Sequence, residues 1–187
     1  MAELEESKDF IKNFLTTGIR GTVWPKKAYL MAVIKDRSGK VIWKKKYQTL
    51  PNQDQFLLNA NHTERQLLHD QEFIDLVKKE NFGEIILTSN YSPCKDCAED
   101  LIEFYEESTK PKLTVRFSHP YETKNKNHLE GLKGLDRAGI TLEAMTEKSW
   151  LDVLEFMFDL DPGAVMTRDV ATREKLEDLL RPDSDDE

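Results

Sequence analysis

The chain carries two cysteines, Cys94 and Cys97, three positions apart behind Ser92-Pro93, and no third thiol to pair with either. Residues at i and i+3 share one face of a helix, and Pro93 just ahead of the pair is a helix-starting residue. A helix N-terminus carries partial positive charge, which lowers a thiol pKa, and the thiolate is the form that binds metal. Two thiolates leave a zinc ion short of ligands. The run Asn61-His62-Thr63-Glu64, at the start of an earlier helical stretch, offers the His62 imidazole as a third. Three protein ligands with one position open to water is the arrangement of a catalytic zinc site, not of a closed structural one. Glu64, two residues from His62, would then sit close to the ion without ligating it. It could take a proton from the water and pass it on.

Plainer readings stand beside this one. A CxxC pair can be a redox dithiol of the thioredoxin type, although Lys95-Asp96 occupy the middle positions where such motifs usually have Gly-Pro or similar. His62 can be an ordinary helix-end histidine, and Glu64 the N3 partner of an Asn61 cap. His69 lies seven residues beyond His62. That is about 10 Å along a helix axis, too far to share the ion. His119 and His128 are not at ligand spacing and read as loop and surface residues.

The elements that must position these residues follow from periodicity and breakers. Residues 28–35 and 40–48 are β-rich runs joined by Asp36-Arg37-Ser38-Gly39, a hairpin signal. Residues 82–89, 112–118 and 139–145 read as three further strands; residues 3–16, 62–80, 94–107, 125–138, 147–160 and 168–180 read as helices. A hairpin followed by strands separated by helices predicts a three-layer α/β domain on a five-stranded mixed sheet with about six flanking helices. The last two strands, joined through a helix, should be parallel with a right-handed crossover. Residues 1–180 read as one domain and residues 181–187 as an acidic, disordered tail.

Composition narrows the class. With 187 residues, 33% charged and 39% hydrophobic, the chain suits one soluble domain with a real core. No apolar run approaches the roughly 20 residues needed to cross a bilayer, so no membrane partner is expected. The start, MAELEESKDFIKNFL, lacks the basic, apolar and small-residue pattern of a secretory signal. A reducing cytoplasmic or nuclear setting is the expectation, which argues against a structural disulfide. The net charge of -8 argues against a general affinity for nucleic acid, yet residues 19–50 hold nine Lys or Arg against Asp36 alone. Lysines of that kind can also serve only to guard a strand edge.

The combination of His62-x-Glu64 and Pro93-Cys94-x-x-Cys97, each opening a helix, resembles the zinc-dependent cytidine deaminase superfamily. The stretch TSNYSPCKDCA at 88–98 is similar to the strand-to-helix segment of the AID/APOBEC polynucleotide deaminases; so are KAYLMAVI at 27–34 and EGLKGLDRAGITLEAMT at 130–146 to other parts of that family. The resemblance covers roughly residues 20–160, with Tyr91 where the family usually has Trp. It implies a cytidine-deaminase-like α/β/α fold, a Zn2+ cofactor on His62, Cys94 and Cys97, and Glu64 as the catalytic proton carrier. The activity implied is hydrolysis of the exocyclic C–N bond of cytosine in single-stranded DNA, with RNA as a second candidate. It further implies substrate contacts from Arg20, Trp24, Lys26 and Lys27 in a first loop, from Asn59 before His62, from Tyr91 and Ser92, and from Tyr121 in a later loop. Asn59 can equally hold a backbone turn. A free cytidine or nucleotide deaminase, and a zinc-stabilised nucleic-acid-binding scaffold of little activity, remain the alternatives. The sequence leaves the oligomeric state open.

Overall fold

Strands β1 (Tyr29–Lys35) and β2 (Val41–Gln48) are joined by a turn that Asp36 builds with its own side chain. Its Oδ1 accepts the backbone N–H of Ser38 at 2.8 Å and of Lys40 at 3.0 Å, and Gly39 supplies the left-handed step at φ 87°. The computed structural model describes residues 12–19, 22–25, 27–49, 62–79, 82–108, 111–121, 125–146, 149–150 and 162–181, with 162–164 as backbone only.

Strands β3 (Glu84–Tyr91), β4 (Lys112–His119) and β5 (Thr141–Ala144) complete a mixed sheet in the order β2-β1-β3-β4-β5. β1 is antiparallel to both β2 and β3, whereas β3, β4 and β5 run parallel, as the βαβ pattern of the sequence requires. β1 and β3 are buried on both faces, which is why they read as continuous apolar runs. On one face Leu30, Ala32, Ile34, Ile85 and Leu87 pack against Leu67, Phe73, Ala98, Leu101, Leu132 and Leu135 from the helices. On the other, Tyr29, Met31, Val33 and Ile86 pack against Phe14, Leu15, Trp150 and Val165. The result is the expected three-layer α/β/α arrangement. β2 is an edge strand, and its exposed Lys44 and Lys45 suit the edge-guarding role.

The helices are α1 (Thr63–Leu68), α2 (Gln71–Lys78), α3 (Lys95–Glu107), α4 (Lys126–Arg137) and α5 (Pro162–Leu180). Residues 12–16 and 149–150 are also helical; the rest of the segments expected at 3–16 and 147–160, and nearly all of the expected tail, lie outside the described residues. One expectation fails: 62–80 is two helices, not one. Asp70 interrupts it in an extended conformation and caps α2, accepting the Glu72 N–H at 3.0 Å. The same carboxylate takes the Tyr47 hydroxyl and the Lys45 ammonium, each at 2.7 Å, so the break ties the helix pair to β2. α5 also starts earlier than expected, at Pro162, a residue the first helical turn accepts at no cost in hydrogen bonds. Among the described residues no helix is long and apolar enough to cross a membrane.

α5 reaches across the sheet through a buried ionic network. Arg168, 5% exposed, donates from Nη1 to the carbonyls of Leu15 and Thr17, both at 2.7 Å, and lies over the Trp150 ring. Asp169 accepts from Arg168 Nε at 2.9 Å and from Trp150 Nε1 at 2.6 Å, so neither charge is left without a partner. This fixes residues 15–17, from which the first loop departs toward the site.

Candidate metal centre

β3 ends at Tyr91, and after Ser92-Pro93 the chain turns into α3 with Cys94 as its N-cap residue. His62 holds the same position on α1. Both caps have extended backbone and neither side chain makes a capping hydrogen bond, so the sulfur and the imidazole can converge. They do so: His62 Nδ1 lies 3.1 Å from Cys97 Sγ and 3.5 Å from Cys94 Sγ. Among the described residues this is the one trio of metal-ligating side chains whose donor atoms all lie within 4.8 Å of one another. A tetrahedral zinc site places N and S donors about 3.6 Å apart and two S donors about 3.8 Å apart, so the set fits that ion. A hydrogen bond from Cys97 draws the Cys94 thiol down to about 4, with His62 adding to it; the same bond, with burial, pushes Cys97 up. The pair thus holds one thiolate readily. The His62 imidazole is raised chiefly by its bond to Cys94.

Glu64 is 7% exposed. Because His62 is the N-cap, Glu64 stands at N2, which removes the capping-box reading based on Asn61. Its Oε2 accepts the Thr63 hydroxyl at 2.9 Å. Burial raises the carboxyl pKa, partly offset by that bond and by a backbone N–H.

Above the trio is a cavity of about 150 Å³ lined by Ala28, Thr49, His62, Glu64, Tyr91, Ser92, Cys94 and Tyr121. A space of this volume holds a single six-membered ring. Larger grooves of about 590 and 600 Å³ lie elsewhere but contain no metal-ligating trio. The Tyr91 and Tyr121 rings meet edge to face at 5.8 Å, and Tyr91 donates its hydroxyl to the Pro25 carbonyl at 2.9 Å. Ser92 acts as a strut: its Oγ accepts the Tyr121 N–H at 2.8 Å and its own N–H goes to the His119 carbonyl at 3.0 Å.

Of the residues expected in the first loop, Trp24 is 40% exposed and does not line the cavity. Its ring meets His119 at 4.8 Å, tilted by 60°, and it donates Nε1–H to the Ile19 carbonyl. Lys27 is exposed beside the cavity wall at Ala28; Arg20, Lys26 and Asn59 lie outside the described residues. The basic stretch extends well beyond the cavity, with Lys44, Lys45 and Lys46 of β2 opposite Val33, Ala32 and Met31 of β1. The Lys35–Lys40 turn packs on Gly83, at the opposite end of β1 from Ala28.

Six further residues shape the site or its surroundings without having been singled out for it. Ala28 and Thr49 close one wall, tied by Thr49 N–H to the Ala28 carbonyl at 2.9 Å. Asn90, fully buried, takes the Tyr29 N–H at 2.7 Å and donates to the Lys27 carbonyl and the Thr17 hydroxyl at 3.2 Å each. His128, read as a surface residue, accepts the Lys95 N–H at 3.1 Å at the start of α3 and its ring meets Tyr121 at 5.1 Å. His119, read as a loop residue, is the last residue of β4; burial, with Lys175 and Arg168 nearby, holds its imidazole down to about 4. Gly18, at φ 81°, lets the chain pass this crowded point, since a Cβ there would meet His119 Nδ1 at 2.9 Å and Arg168 Cδ at 3.0 Å.

A family profile described as invertebrate AID/APOBEC deaminase matches residues 10–187. The DNA dC->dU-editing enzyme APOBEC-3Ca of Felis catus is 39% identical over 57 residues, which cover 30% of this chain and 30% of that protein.

Proposed function

The chain belongs to the invertebrate AID/APOBEC deaminase family, and from that premise we propose that it converts cytosine to uracil by hydrolysis in a single-stranded polynucleotide, DNA by preference. The observation that carries this reading is the presence of a buried carboxyl, Glu64, and the donors of His62 and Cys94 in the wall of one ring-sized cavity. His62, Cys94 and Cys97 would hold the zinc ion. When bound, the metal supplies an activated water nucleophile at neutral pH.

The remaining work falls to protein side chains. Glu64 takes a proton from the attacking water and delivers it to the ring nitrogen next to C4. As the C4–amino bond breaks, the same carboxylate takes the proton of the new C4 hydroxyl and passes it to the departing nitrogen, which leaves as ammonia while C4 keeps the oxygen as a carbonyl. Tyr91 and Tyr121 present ring edge and face to a flat base. Thr63 keeps the Glu64 carboxyl oriented through its hydroxyl. A cavity for one ring demands an unstacked base, and extracting one from a duplex costs a few kcal/mol, so single strands are the favoured substrates.

A free nucleoside deaminase is the second reading, favoured by the net charge of -8. Uracil release from single-stranded DNA, single-stranded RNA and free deoxycytidine, compared side by side, separates the two. Turnover confined to the polynucleotides, weakening with added salt as a few phosphate contacts are lost, is expected. Turnover on free deoxycytidine alone would overturn the polynucleotide reading.

A further inference from the structure

The donor set is split between two helices, and α1, which carries His62, is only six residues long. A helix that short has no stability of its own and takes its place from tertiary anchors. Leu67 is buried in the core and Asp70, just beyond the helix, is tied to β2. Leu67 shares that core with Ala98 and Leu101 of α3. Beside the donors themselves, α1 and α3 are tied among the described residues by an ion pair between Arg65 Nε and Asp100 Oδ2, with side chains 21% and 31% exposed.

Its location gives the pair leverage. Arg65 is three residues beyond His62, and Asp100 is three residues beyond Cys97. At that spacing each partner shares the helix face of the donor behind which it stands. The ion pair therefore closes the same gap that the His62 Nδ1 to Cys97 Sγ contact closes at 3.1 Å, one turn further back. An isolated, partly exposed ion pair would contribute little to global stability. Here it acts on a distance to which metal coordination is far more sensitive than folding is.

We propose that Arg65 and Asp100 are positioning residues for the metal centre: their ion pair sets the separation of α1 and α3 and so the affinity with which His62, Cys94 and Cys97 hold zinc. The inference rests on the reading of those three side chains as the zinc site, and goes beyond it in assigning affinity to residues outside the donor set.

The test is zinc affinity itself, read by competition between the full-length protein and a chromogenic chelator, with zinc alone and no substrate. Arg65→Met and Asp100→Asn keep side-chain volume and remove the pair from either end. Each is expected to weaken zinc binding about ten- to a hundredfold, the range seen when groups that orient metal ligands are removed. The double variant is expected to be no worse than the weaker-binding single, because one shared interaction is lost only once. Asp100→Asn, at a partly exposed helix position, keeps the test available should Arg65→Met fold poorly. Zinc affinities within twofold of the parent in the folded variants would overturn the proposal, and so would losses that simply add in the double variant. Cys94→Ser in the same assay marks the other failure: parent-like zinc binding there would overturn the metal-site reading itself.

Discussion

Asn90→Ala tests how the cavity is roofed. The β1–β3 ladder ends at Leu30 opposite Ser89, and the Asn90 side chain continues it by accepting the next N–H, that of Tyr29, at 2.7 Å. Its amide nitrogen meanwhile holds the Lys27 carbonyl and the Thr17 hydroxyl. Alanine leaves the fully buried Tyr29 N–H without its acceptor, which costs about 1–3 kcal/mol, and removes two partly buried bonds worth about 1 kcal/mol each. Some of the second loss is recovered if water enters, so the expected destabilisation is about 2–4 kcal/mol. Thr17→Val removes one bond of the three together with the Thr17 hydroxyl's own bond to the Asn13 carbonyl at 2.8 Å, and should cost about 2 kcal/mol. Urea unfolding monitored by tryptophan fluorescence gives both values, and zinc content measured on the same samples should stay at the parent level, since no donor is touched. The functional counterpart is a raised KM, because Lys27 and Pro25 lie on the segment that Asn90 and Tyr91 hold over the cavity. A loss under about 0.5 kcal/mol for Asn90→Ala would refute the reasoning, since it would mean that the Tyr29 N–H has another partner.

The remaining predictions concern the metal, the proton carrier and pH. Cys94→Ser/Cys97→Ser should abolish stoichiometric zinc and lower the melting temperature, because donors that join two helix starts contribute to folding when metal is bound; unchanged zinc by atomic absorption would remove the assignment. Glu64→Ala should retain zinc while uracil release falls below detection; a purely structural Glu64 would instead leave the rate near that of the parent. His119 is held down to about 4 in the folded chain, against 6.5 for an ordinary imidazole. Between those values the unfolded chain binds the proton and the folded chain resists it, so stability should fall as pH drops from 6.5 toward 4, by about 2–3 kcal/mol in total. His119→Gln should flatten that part of the stability–pH curve, and an unchanged slope would show that other groups carry it.

What the sequence made legible was whatever is written in local spacing. The hairpin at Asp36–Gly39, the apolar runs of β1 and β3 and the helix-opening positions of His62 and the two cysteines all depend on neighbours a few residues away. The break at Asp70 was not legible, since the helical periodicity of 62–80 continues through it. What stops the helix there is a cap that also serves Tyr47 and Lys45, partners from another strand. Asn90 was hidden for the same reason: its three partners, Thr17, Lys27 and Tyr29, all lie more than sixty residues earlier and leave no periodic trace. Trp24 was read as a surface for stacking on substrate because an aromatic beside basic residues in a loop suggests that role. Its ring also meets His119 at 4.8 Å, tilted by 60°, a contact that no local pattern announces.

The order of strands also dictates when the donor set can exist during folding. His62 follows β2 and the cysteines follow β3, and these two strands never touch: β1 lies between them. The β1–β2 hairpin is local and can form early, but the thiols reach His62 only after β3 has docked on the far side of β1, a pairing of distant segments that closes slowly. A metal held by all three side chains would therefore find its site late in folding. Interactions absent from the transition state act on escape from the native state and not on arrival there. In this architecture a bound ion would serve as a latch on unfolding, leaving the chain to find its topology without it.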